Sequence, residues 1–458
     1  MTINHSFDII NLSKINKGVR YMSSINNFNT IINNMKEKSI KFSKKISKGI
    51  DNKKRRDFVS EMVYGLLASS SCYLSNIARS LKEEITLKAT EKRLSRNLDE
   101  FNNGKEYTST YEDVRNKILL DNYVEEVRNK IDENTVFCFD PGDIGKKYAE
   151  KLENIDTIKD GSTGEYIQGY NTIEVVGLTK NEKQPIPVYT RVFSTKEEKF
   201  ISTSKEYIEA IKYLNKKFGK KGVYALDRWF DDQKYFNEFV KLGLEFVIRM
   251  KEIRKVANAK SGIEENIKRK AKRVKMKSSY TYKDKKGITR TAHTGYMKIT
   301  IAEVPGEVFY LVVIKSEEFP KDPMMLLTNM KPGKDDFTKM VNKVYIRRWK
   351  VEEYFRFKKQ EFGFEKELLV RSLNSIRTLN MLLTVVIGFI AMFSDKQNQV
   401  QYKIVFKASE SLRKNEDITL VFYAVARGLK EIFRFNLKGL RNKKGKIKVG
   451  IEGQISLL

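Results

Sequence analysis

The spacing of apolar and polar residues divides the chain into regions of different periodicity. Residues 1–130 carry apolar side chains at helical spacing and show no convincing alternation typical of strands. From residue 131, short apolar runs alternate with helical segments, and at 251–334 strand-like segments follow a basic run. Helical spacing returns after residue 334. This order predicts an α/β protein with helical regions at both ends.

Five short apolar runs in region 131–250 predict strands, and two amphipathic segments between them predict helices. The strands are expected at 135–139, 172–178, 187–194, 222–226 and 246–250, and the helices at 204–219 and 231–242. Asp140 follows the first strand and Asp227 follows the fourth. Such an order predicts a mixed sheet with helices packed on it and a carboxylate at each of two strand ends.

Two short helices are predicted near the N-terminus, at 73–81 and 88–98, with a tight connection between them. Lys92, Arg93 and Arg96 are expected on the exposed face of the second helix. A DNA-binding helix-turn-helix fits this pattern. A plain helical hairpin with a solvated, charged face fits it equally well.

Residues 334–362 contain neither Gly nor Pro and predict one long helix. At about 100° per residue, Tyr345, Arg348, Glu352 and Lys359 fall within an arc of about 60°. A solvated helix face mixes charges without a fixed pattern, whereas the spacing here is Tyr-x2-Arg-x3-Glu-x6-Lys. We therefore interpret this face as functional.

The longest apolar run, 379–393, predicts a buried core helix. It contains Asn380 and Thr384 and is shorter than the ~20 residues that span a membrane. The first residues lack the basic-then-apolar pattern of a signal peptide. We expect no membrane segment and a cytoplasmic location.

Composition narrows the chemistry. The 458 residues include 88 Lys and Arg against 58 Asp and Glu, a net charge of +30, which favours a polyanionic partner such as nucleic acid. Two cysteines and two histidines exclude a disulfide framework, a thiolate zinc cluster and most His-based sites. A catalytic metal would have to bind carboxylates, which favours Mg²⁺ or Mn²⁺. No glycine-rich phosphate loop is present, so no nucleotide cofactor is expected.

The Tyr-Arg-Glu-Lys spacing resembles the signature of insertion-sequence transposases of the IS-four type, which belong to the DDE class. The resemblance covers roughly residues 131–393. It implies an RNase H-like catalytic core in two parts (131–250 and 335–394), separated by the basic, β-rich insertion 251–334. Region 1–130 would bind the DNA ends, and 395–458 would form a helical, basic C-terminal region.

The same resemblance implies a catalytic site. Asp140, Asp227 and Glu352 would hold two Mg²⁺ (or Mn²⁺) ions and catalyse DNA cleavage and strand transfer. Tyr345, Arg348 and Lys359 would contact the DNA backbone. The implied protein is a bacterial, nucleoid-associated homodimer on double-stranded DNA that carries terminal inverted repeats. A non-catalytic DNA-binding regulator and a non-joining nuclease are the alternatives.

Several neighbouring residues bear on this assignment. Gly142 and Trp229 stand where the family usually has small polar or small residues, and the insertion has no tryptophan on which a flipped base of a DNA hairpin would stack. Asp143 is an alternative to Asp140, although solvation in a loop is favoured for it. Asp231 and Asp232 are expected to cap the following helix or lie in its first turn, and Glu353 is rotated about 100° away from Glu352.

Overall fold

The N-terminal part of the protein is helical. The computed structural model describes residues 25–102, 113–161, 163–179, 185–283, 286–318, 323–333, 336–394, 400–409 and 421–440. The first helices are α1 (Ile25–Ile46), α2 (Lys53–Ser69), α3 (Leu74–Leu81), α4 (Leu87–Asp99) and α5 (Val114–Val127). Asn52 and Thr86 begin α2 and α4, because each side chain accepts a hydrogen bond from a backbone N–H of the first turn. The two short helices α3 and α4 lie where the sequence predicts them.

The described strands form a single sheet. They are β1 (Val136–Gly145), β2 (Asp156–Lys159), β3 (Tyr166–Leu178), β4 (Ile186–Phe193), β5 (Val223–Leu226), β6 (Glu245–Arg249), β7 (Lys255–Asn258), β8 (Glu264–Asn266), β9 (Ser278–Lys283), β10 (Thr289–Thr300), β11 (Phe309–Ser316) and β12 (Met324–Thr328). The order is β2-β3-β1-β5-β6-β12-β11-β10-β7-β8, with β4 beside β3 and β9 beside β10. The predicted mixed α/β architecture is confirmed.

The centre of the sheet is parallel and its flanks are antiparallel. β1, β5 and β6 run parallel, and β3 pairs antiparallel with both β1 and β4. Helices α6 (Thr203–Phe218) and α7 (Gln233–Leu242) lie in the connections that precede β5 and β6, since parallel neighbours require a crossover.

The segment 251–334 continues this sheet. β12 pairs antiparallel with β6, and β11 and β10 follow in turn. The short helix α8 (Ile267–Lys272) and strands β7 and β8 occupy the far edge, in a stretch for which the sequence predicts only a basic run. The sheet therefore runs without interruption from β1 into the basic segment.

A buried apolar helix near the C-terminal end of the sequence packs against the sheet and the N-terminal helices. Helix α11 (Leu373–Ser394) packs against β4, α2, α4 and α5. It is long and apolar enough to cross a membrane, yet 89% of its most apolar window is buried within the protein. The prediction of a core helix is confirmed. Helices α12 (Val400–Ala408) and α13 (Val421–Arg434) pack together beyond it.

The prediction of one helix over 334–362 is wrong. Helix α9 (Phe337–Arg347) ends before α10 (Lys350–Glu361) begins. Between them, the N–H groups of Arg348 and Trp349 donate to carbonyls three residues earlier, which is the tighter 3₁₀ pattern. Because such a turn advances about 120° per residue, it changes the angles between Tyr345 and the residues that follow it.

Candidate active site

Asp140 and Asp227 lie side by side at the same edge of the parallel strands. The last paired residues of β1 and β5 are Cys138 and Ala225, and each aspartate follows two residues later. The same register therefore places the two carboxylates next to each other, on the face that Cys138 and Ala225 share. β1 itself continues to Gly145, but only against β3. Asp140 thus marks the point where β1 parts from its parallel neighbour.

Asp140 is a largely buried carboxylate paired with Arg348. Nη1 of Arg348 donates to Oδ1 of Asp140 at 2.9 Å, and the two side chains are 9% and 18% exposed. The pKa of Asp140 is raised to about 7: burial is the largest cause, the charge of Arg348 opposes it, and the charges of Asp227 and Glu352 add to it. The three predicted carboxylates therefore share one electrostatic environment.

Asp227 also shapes the chain that follows it. Its Oδ1 accepts a hydrogen bond of 2.8 Å from the N–H of Trp229, so that it caps the 3₁₀ turn Arg228–Phe230. Trp229 is 39% exposed and contacts the ring of Tyr207 at 4.8 Å between centroids. The large residue after Asp227 thus belongs to an aromatic cluster beside the site.

Glu352 lies in the first turn of α10 and is exposed. This helix packs against β1 and β3. Its Phe355 lies against Gly142, where an added Cβ would overlap Thr172 Oγ1 and stand 2.8 Å from the Phe355 ring. The close approach of α10 to β1 therefore leaves no room for a side chain at position 142.

The remaining signature residues lie at two different places. Tyr345 is nearly buried, and the guanidinium of Arg348 lies 5.8 Å from its ring centre. Lys359 lies two turns further along α10, where its Nζ contacts Asp143 Oδ2 at 3.2 Å and Glu365 Oε2 at 3.0 Å. Asp143 is therefore a strand residue paired with Lys359, and its interpretation as a solvated loop residue is wrong.

Of the two aspartates expected to cap α7, only one does so. Asp231 does not cap α7; it is buried and accepts hydrogen bonds from Lys251 N (2.7 Å) and Arg254 Nε (2.8 Å). Its neighbour Asp232 is the N-cap, since its Oδ1 accepts from Lys234 N at 2.9 Å. Asp231 therefore fixes the chain that leaves β6.

Arg93 is not on the exposed face of α4, as the sequence predicts. It forms ion pairs with the nearly buried Glu61 and with Glu83, the latter at 2.9 Å. Lys92 and Arg96 are exposed, as expected. Arg93 therefore joins α4 to α2, while its two basic neighbours face solvent.

The sequence interpretation misses a buried charged network beneath the site. Glu174 of β3 accepts hydrogen bonds from Lys358 Nζ (2.6 Å), Tyr354 OH (3.1 Å) and Thr190 Oγ1 (2.9 Å). The Glu174 and Lys358 side chains are 1% and 2% exposed. In the β1–β3 register Glu174 stands opposite Asp140. In the sequence, only the single acidic residue Glu174 within the apolar run of β3 indicates such a network.

The negative charges around Asp140 favour a cation there, but the described carboxylates do not converge on one point. Within the described ranges, no three His, Cys, Asp or Glu side chains converge closely enough to hold an ion. Burial and the negative charges of Asp227 and Glu352 nevertheless disfavour the ionised form of Asp140, and Arg348 supplies the compensating positive charge. A divalent cation at this position would supply the same compensation.

The comparisons with known proteins agree with this chemistry over the central part of the chain. Residues 201–389, less than half of the sequence, match the family model described as the transposase DDE domain. The matched segment includes Asp227 and Glu352 and begins after Asp140.

Among solved structures, the chain is similar to the cryo-EM structure of the piggyBac transposase synaptic complex with hairpin DNA. The identity is 11%, the TM-score is 0.43, and the alignment covers 90% of this chain and 84% of that chain. No curated protein gives a significant match. The match of residues 201–389 to the DDE domain supports a transposase function for this chain.

Proposed function

We propose that the protein is a cut-and-paste DNA transposase of an insertion sequence. One observation carries the proposal: Asp140 and Asp227 each lie two residues beyond the last paired residues of β1 and β5, and the charges of Asp227 and Glu352 both act on Asp140. The family match over 201–389 supports it. The strand order β4-β3-β1-β5-β6, with its parallel half at β1, β5 and β6, agrees with an RNase H-like core.

The three carboxylates would hold Mg²⁺ or Mn²⁺, two ions per site. Bound there, the ions would activate the attacking water or 3′-OH and stabilise the leaving oxygen of the scissile phosphodiester. Asp140 and Asp227 provide oxygen ligands from adjacent strands, and Glu352 provides one from a separate helix. Arg348, which now pairs with Asp140, would be available to bind phosphate if a cation took over the neutralisation of Asp140.

Positive charge elsewhere would bind the DNA. The exposed Lys92 and Arg96 of α4 would contact the terminal inverted repeats, and Lys359 would contact the strand near the cut, with Tyr345 supporting Arg348.

The spacing of Tyr345, Arg348, Glu352 and Lys359 supports an IS-four type enzyme. Since both ends of an element are cut together, the active form would be a homodimer on DNA, acting at the bacterial nucleoid without a nucleotide cofactor.

One assay separates this function from its alternatives. The purified protein is incubated with Mg²⁺ and DNA carrying the inverted repeats that flank its coding sequence, and end cleavage and joining to a target plasmid are followed on gels. We expect both products. Binding without cleavage would identify a DNA-binding regulator instead, and cleavage without joined product would identify a nuclease.

A further inference from the structure

A basic, open cavity lies at the far ends of the two elements that carry Asp140 and Glu352, namely β1 and α10. It measures about 620 Å³ between the end of β1 and the chain that follows α10, and Lys146, Lys147, Tyr148, Lys359 and Lys366 are among its lining residues. Lys359 lies on α10 two turns beyond Glu352, and its Nζ contacts Asp143 on β1, three residues beyond Asp140. The lysines outnumber the one acidic residue of the lining. The cavity therefore favours an anion.

The wall after α10 is fixed to β1 by several hydrogen bonds. Lys146 Nζ donates to the carbonyls of Glu365 and Leu368, both at 2.6 Å. The N–H of Gly145 donates to Glu365 Oε1 at 2.7 Å, and Lys359 contacts the other carboxylate oxygen of Glu365. Lys146 and Glu365 thus hold the two walls together, so the cavity is part of the folded structure.

Tyr148 is a solvent-exposed aromatic residue at this cavity. It lies in a turn closed by a 2.8 Å hydrogen bond from Ala149 N to Lys146 O, yet its side chain is 91% exposed. Its neighbour Lys147 makes an ion pair of 3.6 Å with the exposed Glu165. A fixed turn therefore displays an aromatic ring and an ammonium group side by side.

An aromatic ring beside ammonium groups matches the chemistry of an unpaired nucleotide strand. Such a strand offers base faces for stacking and phosphates for charge contacts, whereas the bases of a duplex are stacked on one another. We propose that the cavity binds an unpaired segment of the DNA strand next to the cut, with a base stacked on Tyr148 and phosphates held by Lys147 and Lys366. This inference rests on the proposed function, because the cavity is built on β1 and α10, the two elements that carry Asp140 and Glu352.

Binding of a short single strand tests the proposal without knowledge of the element ends. The probe is fluorescein-labelled octathymidylate, and its affinity is measured by anisotropy for wild type and for Tyr148→Ala, Tyr148→Phe and Tyr166→Ala. We expect Tyr148→Ala to weaken binding about fivefold or more, the loss of one stacked base. Tyr148→Phe keeps the ring and should bind like wild type. Tyr166, an exposed tyrosine outside the cavity lining, is the control.

A second measurement addresses the lysines. Lys147→Gln with Lys366→Gln should flatten the salt dependence of octathymidylate binding, by about 0.7 in the log–log slope for each phosphate that is no longer neutralised. Unchanged affinity of Tyr148→Ala overturns the proposal, as does an equal loss on a duplex of the same length. Wild-type cleavage activity is scored separately. Normal cleavage with unaffected Tyr148→Ala binding refutes only the cavity, whereas specific loss of binding without any cleavage refutes only the proposed function.

Discussion

The ion pair between Glu174 and Lys358 ties the strand next to Asp140 to the helix that carries Glu352. Glu174 stands opposite Asp140 on β3, and Lys358 lies on α10, six residues after Glu352. At 2.6 Å and an effective dielectric constant of about 20, the attraction is about 6 kcal/mol. Removing both ions from water costs several kcal/mol each, so the net contribution of the intact pair is small.

Removing one partner of the pair should be strongly destabilising, because the other charge then remains buried and uncompensated. We expect Lys358→Met to lower the free energy of unfolding by about 3–5 kcal/mol. The double variant Glu174→Gln with Lys358→Met should recover most of this loss, since Gln keeps an acceptor for Tyr354 and Thr190. Lys212→Met removes half of an exposed pair with Glu209 and should cost at most about 1 kcal/mol.

Urea unfolding provides the measurement, with intrinsic fluorescence as the signal. The only tryptophans of the chain, Trp229 and Trp349, flank Asp227 and Arg348, so their emission reports on the region of the site. The four members of the Glu174–Lys358 cycle and the Lys212 control are compared under one condition. A Lys358→Met variant as stable as the Lys212 control, or losses that simply add in the double variant, would show that Lys358 does not compensate a buried charge on Glu174.

Three further predictions follow from named contacts. Because the folded-state pKa of Asp140 is raised to about 7, the folded protein keeps a proton that the unfolded chain loses above about pH 4. Without divalent ions, stability should therefore fall as the pH rises from about 4 to 7. Thermal unfolding should show a smaller fall for Asp140→Asn over the same pH range. Gly388→Ala should destabilise by about 1–3 kcal/mol in urea, because its Cβ would overlap the Tyr123 hydroxyl. Lys92→Gln should reduce the salt slope of DNA binding by about 0.9 with unchanged stability, whereas Arg93→Gln should lower the thermal midpoint.

The strands that precede Asp140 and Asp227 were predictable from the sequence because their signals are local. The apolar run before each aspartate predicts a strand that ends there. Parallel strands bring residues at their carboxyl ends together. The buried character of α11 was equally readable, from a long run of apolar residues.

The arrangement around Arg348 was not predictable in this way. No Gly or Pro marks the break between α9 and α10, and helix propensity alone favours continuity. In the structure the turn places the Arg348 guanidinium against Asp140, more than 200 residues away along the chain. Asp231 shows the same limit, since its partners Lys251 and Arg254 lie beyond the next helix and strand. Tertiary contacts decide both cases, and one sequence does not display them.

In the proposed function, Glu352 and the two strand-end aspartates together catalyse DNA cleavage. This role of Glu352 is tested most directly by comparing Glu352→Gln with Glu353→Gln, its neighbour, which pairs with Lys350 at 3.0 Å. Both variants are assayed for binding and Mg²⁺-dependent cleavage of DNA carrying the flanking inverted repeats. We expect Glu352→Gln to bind these ends like wild type but neither to cut nor to join them, while Glu353→Gln should cut and join them. Cleavage by Glu352→Gln at the wild-type rate would contradict this role.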